Sequence, residues 1–248
     1  MPMLQLEEYD VTELFLDVRQ GARADGLLGA LIEAGASLEV VEAAVATLGT
    51  GEVRLQLQAS ATGSSLRIHA PQDAPDQPSW GALRPRIELL ALDEPVVSLS
   101  VALLDHLFAA RGAVHGVTAE DMDVDPFSGL DDLADAVALA AATTSLGVDR
   151  VRASAVGHGR GALSTIEGNV ELPGPVVSEL LDGLHTVVVD RRVELVDAVG
   201  AAYLRAISDH QAEDVPDLGR TAAHGRGRLP DGHTVWALVL DGPDEAAA

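Results

Sequence analysis

Two tetrapeptides and one run of carboxylates hold most of the chain's chemical potential. His158-Gly-Arg-Gly161 and His224-Gly-Arg-Gly227 repeat the same four residues. Glycine lets backbone N–H groups approach a ligand closely, and an arginine fork clamps a carboxylate or phosphate through two parallel bonds. On that reading His158, Arg160, His224 and Arg226 form two walls of one ligand site. The plainer reading makes both segments turns whose arginines are solvated or paired with nearby acids. The carboxylates run from Glu120-Asp-Met-Asp-Val-Asp125 to Asp131, Asp132 and Asp135. Asp121, Asp123 and Asp125 imitate the opening of a calcium loop, but the sixth position, which turns through glycine, is Pro126. Asp131 and Asp135, four residues apart, share a helix face and are close enough to share a cation or form an acid/base pair. First-turn helix chemistry accounts for Asp131 and Asp132 but poorly for Asp135. Asp17 ends an apolar strand and precedes Arg19, Gly21, Arg23 and Asp25, a strand–loop–helix passage of the kind that carries sites in α/β folds. A surface pairing of Asp17 with Arg19 is its bland alternative. The candidate catalytic groups are therefore Asp17, Asp131, Asp135 and His158, and the candidate ligand-binding groups Arg160, His224, Arg226 and Trp80. No residue is assigned to a metal, because the histidines show no ligand spacing.

Composition narrows the chemistry further. The 248 residues contain no cysteine, and all 16 basic side chains are arginine, so lysine is absent too. That removes thiolate catalysis, cysteine metal sites, Schiff bases and the Walker A loop. A net charge of −23 repels nucleic acid and anionic lipid. No apolar run suggests a membrane span, and no leader is evident at the start. A soluble, cytoplasmic protein with a small-molecule partner is expected, with self-association left open.

These side chains need elements to position them. Leu14–Val18 reads as a buried strand, and Asp25–Ala34 and Ser37–Leu48 as helices. Val53–Ala59 and Ser65–Ala70 alternate with period two and form a hairpin. The proline-rich stretch 71–85 reads as a loop or flap carrying Trp80. Helices are expected at Val96–Arg111, Leu130–Leu146, Val176–Leu181 and Ala198–Ser208, with strands at Arg150–Val156, Leu163–Val170, Thr186–Leu195, Arg220–Ala223 and Thr234–Leu240. Strands and helices interleave but strands also come in pairs, which predicts α/β to α+β, a mixed sheet with flanking helices. The expected organisation is a single unit over 1–248, divisible at most into 1–70 and 86–242 around the 71–85 loop.

The order of segments resembles the N-terminal part of the LarC family, the nickel insertion proteins of nickel-pincer cofactor biosynthesis. Phe15-Leu-Asp-Val with Asp25-Gly-Leu-Leu-Gly-Ala-Leu-Ile-Glu-Ala-Gly35 is similar to the family's Phe-Asp-Cys-Phe-Ser-Gly-Ile-Ser-Gly-Asp-Met opening. Val114-His-Gly-Val117, Leu146–Val151 with Gly157 and Gly159, and Glu194-Leu-Val-Asp-Ala-Val-Gly-Ala-Ala202 follow in family order, the last resembling Glu-Leu-Val-Thr-Pro-Thr-Gly-Ala-Ala. Ala223–Gly227 stands where the family reads Gly-Tyr-Gly-Ala-Gly. The departures matter as well. The family's His-Phe-His-Glu has become Asp123-Val-Asp-Pro126, which leaves Asp131 and Asp135 of the downstream acids, and the opening cysteine has become Val18. The resemblance also implies a further C-terminal, nucleotide-binding part.

Loss of imidazole and thiolate donors removes the ligands best suited to nickel. The first functional expectation is accordingly a LarC-like scaffold repurposed as a metal-independent biosynthetic enzyme, a cyclase or isomerase on a small, partly apolar metabolite, with no cofactor. The alternative retains nickel-pincer cofactor biosynthesis, with nickel or another divalent metal held by carboxylates, or else a non-catalytic binding protein.

Overall fold

Alternation along the first strand sets the frame of the molecule. In β1 (Asp10–Asp17) Leu14 and Leu16 join the main core while Phe15 joins a second cluster with Leu238 and Leu240, so the two faces of the sheet bury different side chains. The computed structural model describes residues 10–49, 53–70, 78–125, 129–165, 168–207, 211 and 221–243. The elements after β1 are α1 (Ala24–Glu33), α2 (Leu38–Ala46), β2 (Arg54–Ser60), β3 (Gly63–His69), α3 (Trp80–Glu88), α4 (Glu94–His115) and α5 (Gly129–Ser145). They continue with β4 (Arg150–Ala153), β5 (Val156–His158), β6 (Gly161–Thr165), β7 (Gly168–Leu172), α6 (Pro175–Leu181), β8 (Thr186–Val188), α7 (Ala198–Ile207), β9 (Thr221–Arg228) and β10 (Thr234–Pro243).

Six strands form one mixed sheet in the order β2-β3-β9-β10-β1-β4. β10 lies antiparallel to both β1 and β9, while β4 runs parallel to β1 and β3 parallel to β9. The mixed sheet with flanking helices expected from the sequence is thus the observed architecture. β5 with β8, and β6 with β7, form two small separate sheets.

Glycines decide how closely α1 approaches β9. A Cβ on Gly225 would stand 2.0 Å from the Ala30 carbonyl oxygen, and one on Gly227 1.8 Å from that of Gly26. The second His-Gly-Arg-Gly segment therefore lies inside a strand, with its glycines serving helix–strand contact. It is not the turn, nor the ligand-cradling loop, that its composition suggested. Behind α1 sits α5, whose residues Ala136 to Ala142 are all buried. α4 is long and apolar enough to cross a membrane by length and composition, yet half of that window is buried, and it packs on α5, α6 and α7.

Three other expectations change. Residues 80–88 form α3 rather than a flap, while 71–77 lie outside the described residues. Trp80 is a core residue, 1% exposed, stacked on Phe108 with ring centroids 4.8 Å apart. The single strand expected over Leu163–Val170 is the hairpin β6–β7, and the long strand expected over Thr186–Leu195 is the short β8 followed by irregular chain. In both places the apolar alternation was read through a break that only the pairing partner reveals.

Candidate functional site

Three helix N-termini converge on one group of carboxylates. Asp197 immediately precedes α7 and accepts hydrogen bonds from Gly200 N (2.8 Å) and from Ala24 N (3.1 Å), so one side chain caps both α7 and α1. Close packing makes this possible, since a Cβ on Gly200 would stand 2.1 Å from the Ala22 carbonyl oxygen. Asp25 opens α1 and accepts from Gly26 N at 2.9 Å. Arg23, just before α1, is the local cation: its guanidinium lies 2.9 Å from Glu194, 3.6 Å from Asp25 and 3.8 Å from Asp197. From α5, Asp131 accepts the Ala70 N–H at 2.7 Å, which ties the end of β3 to this helix start, and Asp132 pairs with Arg111 at 2.6 Å.

Asp135 has no such compensation. No hydrogen bond to it is present among the described residues, and Asp197, Asp132, Asp131 and Asp25 all oppose its charge. Burial first, and then these four acids, push its carboxyl well above the ordinary carboxylate range. Asp197 is raised to about 6 by burial, the charge of Arg23 and the Gly200 and Ala24 N–H groups pulling the other way. The site therefore holds protons at pH values where an exposed aspartate is ionised. It can exchange a proton near neutrality, and it can gain a cation wherever repulsion among carboxylates is to be relieved. Among the described residues, no three acid or histidine side chains already converge in a metal-holding geometry.

A second constellation lies on the sheet face opposite the one that carries Leu14 and Leu16. Asp17 of β1 stands opposite Trp236 of β10, which stands opposite Arg226 of β9, so carboxylate, indole and guanidinium form one row across three strands. The Arg226 guanidinium lies 5.8 Å from the centre of the Trp236 ring, and His224 approaches the same indole from a ring distance of 6.2 Å. Asp17 is held by Arg19 through bonds of 2.8 and 2.5 Å. Burial raises its carboxyl, but the Arg19 bonds and charge together with the Ser154 hydroxyl outweigh this and keep it below the usual range. Asp17, Arg19, Gln20, Thr234 and Trp236 line a cleft of about 390 Å3.

The sequence-derived candidates thus fall into different places. Asp131 and Asp135 enter the acidic cluster. Asp17, Arg226 and His224 share the sheet face. His158 bonds through Nδ1 to the Gly159 carbonyl (2.9 Å), and Arg160 pairs with Asp190 (3.0 Å). Among the described residues the two His-Gly-Arg-Gly segments share no side-chain partner: His158 and Arg160 bond to Gly159 and Asp190, while His224 and Arg226 lie against Trp236. Trp80 is packed in the core against Phe108. Asp197 and Trp236 were missed. The signal for Asp197 was present, since it precedes a helix where the resembling family carries threonine; for Trp236 the signal is the register opposite Asp17, which only pairing supplies.

The family model described as "Nickel insertion protein" matches residues 14–230. A pyridinium-3,5-bisthiocarboxylic acid mononucleotide nickel insertion protein of Nocardioides sp. is 30% identical over 95% of this chain and 61% of its own length. A putative nickel insertion protein of Syntrophobacter fumaroxidans is 30% identical over 87% of this chain and 56% of its own length. The chain spans about three fifths of these curated relatives. No solved structure matches. These matches overturn the expectation of a metal-independent cyclase or isomerase, and with it that of a protein with no metal involved, because the relatives are named for inserting nickel. Losing histidine and cysteine at the family's motifs does not by itself remove metal chemistry, since carboxylate oxygens are metal donors too.

Proposed function

The chain belongs to the nickel insertion protein family, and from that premise we propose that it serves nickel-cofactor biosynthesis, acting on a pyridinium mononucleotide that carries thiocarboxylate groups, with nickel as the metal delivered. The observation that carries this reading is Asp135, a carboxylate without a hydrogen-bond partner among the described residues and set among Asp25, Asp131, Asp132 and Asp197. A divalent cation at this position relieves repulsion that the arginines present leave standing. The chain offers nickel no thiolate donor, having no cysteine. Softer donors come from the ligand's own sulfur, so metal and nucleotide are held together rather than in a protein cage. Asp131, Asp135 and Asp197 are the groups proposed to receive the ion and to take up or release protons as it binds; His158 and Arg160 flank a neighbouring loop and are assigned no part in this.

The test is retention of nickel by the purified chain after gel filtration, measured by elemental analysis with and without the sulfur-bearing mononucleotide. About one nickel per chain is expected with the nucleotide, falling at least about tenfold in occupancy in Asp135→Asn. Absence of nickel in both conditions, or full retention by Asp135→Asn, overturns the reading.

A further inference from the structure

We propose that the outer edge of β2 is a self-association surface, to which a second copy of this chain adds its own β2 in antiparallel register about a two-fold axis at Leu57. The main sheet ends in β4 on one side and β2 on the other. β4 is short, its Ala153 is bridged to Gln211, and its Arg150 and Arg152 are held by Glu13. β2 is seven residues long and pairs with β3 alone among the described residues. Charged side chains, prolines and bulges are the devices that keep such an edge from pairing with another chain. Beyond Arg54, the run Leu55-Gln-Leu-Gln-Ala-Ser60 has none of them, and its register with β3 is unbroken.

Backbone polarity and side-chain facing agree on one register. The hairpin closes through two residues between Ser60 and Gly63, so Ser60, Gln58, Gln56 and Arg54 turn their N–H and C=O groups toward β3. Alternation then leaves the backbone groups of Leu55, Leu57 and Ala59 pointing outward along the edge. A two-fold axis at Leu57 sets that residue against its own counterpart and Leu55 against Ala59. Every outward residue thereby meets an outward residue, and each opposed pair exchanges both of its hydrogen bonds. The same register completes an apolar row. Leu57 stands opposite Leu66, which is fully buried, yet is itself 40% exposed at the end of the row. The second copy's Leu57 covers it, and Arg54 meets Ser60, so no like charges are opposed.

Charge restricts where two such chains can meet. Each copy carries −23, and acidic surfaces brought together repel. Residues 53–70, which contain the whole β2–β3 hairpin, hold no aspartate or glutamate although the chain has 39 acidic residues. Val187 and Val188 are exposed as well, but they lie on the three-residue β8, two positions before Asp190. One strand edge makes a small interface, so the expected Kd is roughly 10–100 μM.

The lack of cysteine makes the test direct. Leu57→Cys introduces the chain's only thiol at the axis, where opposed Cα atoms about 5.5 Å apart suit a disulfide. Mild oxidation of the chain at about 100 μM is expected to yield covalent dimer at least about tenfold faster from Leu57→Cys than from Val188→Cys, a more exposed position away from the edge. Sedimentation equilibrium of the parent between about 5 and 500 μM is expected to show monomer and dimer in exchange. Leu57→Lys, which opposes two charges at the axis, is expected to weaken that dimer at least about tenfold. Its melting curve in dilute solution separates this effect from misfolding. A parent that is monomeric throughout, cross-linking of Leu57→Cys no faster than that of Val188→Cys, or an undiminished dimer in folded Leu57→Lys overturns the proposal. Neither measurement involves nickel or nucleotide, so the result is independent of the function proposed above.

Discussion

Replacing Asp197 by asparagine should stabilise the protein, and by an amount that grows with pH. The carboxyl has its proton affinity raised from an ordinary value of 3.8 to about 6 in the folded chain. A carboxyl raised in this way favours folding fully below its unfolded value, and the advantage is lost as pH climbs through the folded value. With about 1.4 kcal/mol per pH unit, the loss approaches about 3 kcal/mol above pH 7, and about half of it has already accrued at pH 5. Asparagine keeps the cap, because the one oxygen facing Gly200 N at 2.8 Å also faces Ala24 N at 3.2 Å. It removes a charge 3.8 Å from Arg23, but that arginine retains Glu194 and Asp25, so the cost is about 1 kcal/mol or less. It also relieves Asp135, whose largest opposing charge is Asp197, which acts in the same direction. The stability of Asp197→Asn relative to the parent should therefore improve by about 1.5 kcal/mol between pH 5 and pH 7.5, or about 3–6 °C in Tm for a chain of this size. Urea unfolding of both proteins at the two pH values measures it, with both values kept above the sequence isoelectric point of about 4.4. A difference between the two proteins that stays flat with pH, or a variant that loses ground as pH rises, would refute the reasoning.

Gly225→Ala places a methyl 2.0 Å from the Ala30 carbonyl oxygen, backbone against backbone, and should cost about 3 kcal/mol or more, seen as a lowered urea midpoint. Glu13 is 5% exposed and holds Arg150 at 2.9 Å and Arg152 at 2.7 Å, but the two arginine side chains are 39% and 29% exposed, so Glu13→Ala should destabilise by about 1 kcal/mol; a thermal melt within 1 °C or so of the parent would contradict this. Removing nickel from a loaded sample with a chelator should lower Tm only when the sulfur-bearing nucleotide is present, because mass action stabilises only what binds the folded state.

Much of the fold could be read from local pattern, and less of the site. α1, α2, α5 and α7 stand within about two residues of their expected ends, because glycine, serine and proline punctuate an apolar period. Ser37, the expected cap of α2, accepts the Val40 N–H. Asp135 stands out in the sequence because a carboxylate one turn beyond the helix start has no dipole reason to be there, and the structure sets it among Asp197, Asp132, Asp131 and Asp25. What could not be read was anything set by register. Strand pairing brings Asp17, Trp236 and Arg226 into one row, and their sequence separations carry no period that a scan would detect. The repeated His-Gly-Arg-Gly misled for the same reason. Its glycines answer to the backbone of α1 in one copy, while in the other Gly159 meets the carbonyl oxygens of Val193 and Arg191, so identical residues serve unrelated neighbours.

The position of β10 also orders events during synthesis. It lies between β9 and β1, and it is made after every other strand. Until it emerges, β1 has only the short β4 beside it, and its other edge, with Leu14, Phe15 and Leu16, waits unpaired until Thr234 and the residues after it are made. A chain interrupted before Thr234 would present two open strand edges and a divided core, the condition in which nascent proteins pair with one another. Completion of the sheet, and with it the row through Trp236, is thus deferred until β10 has been made. A ribosome-bound fragment ending before β10 is expected to associate more readily than one that includes it.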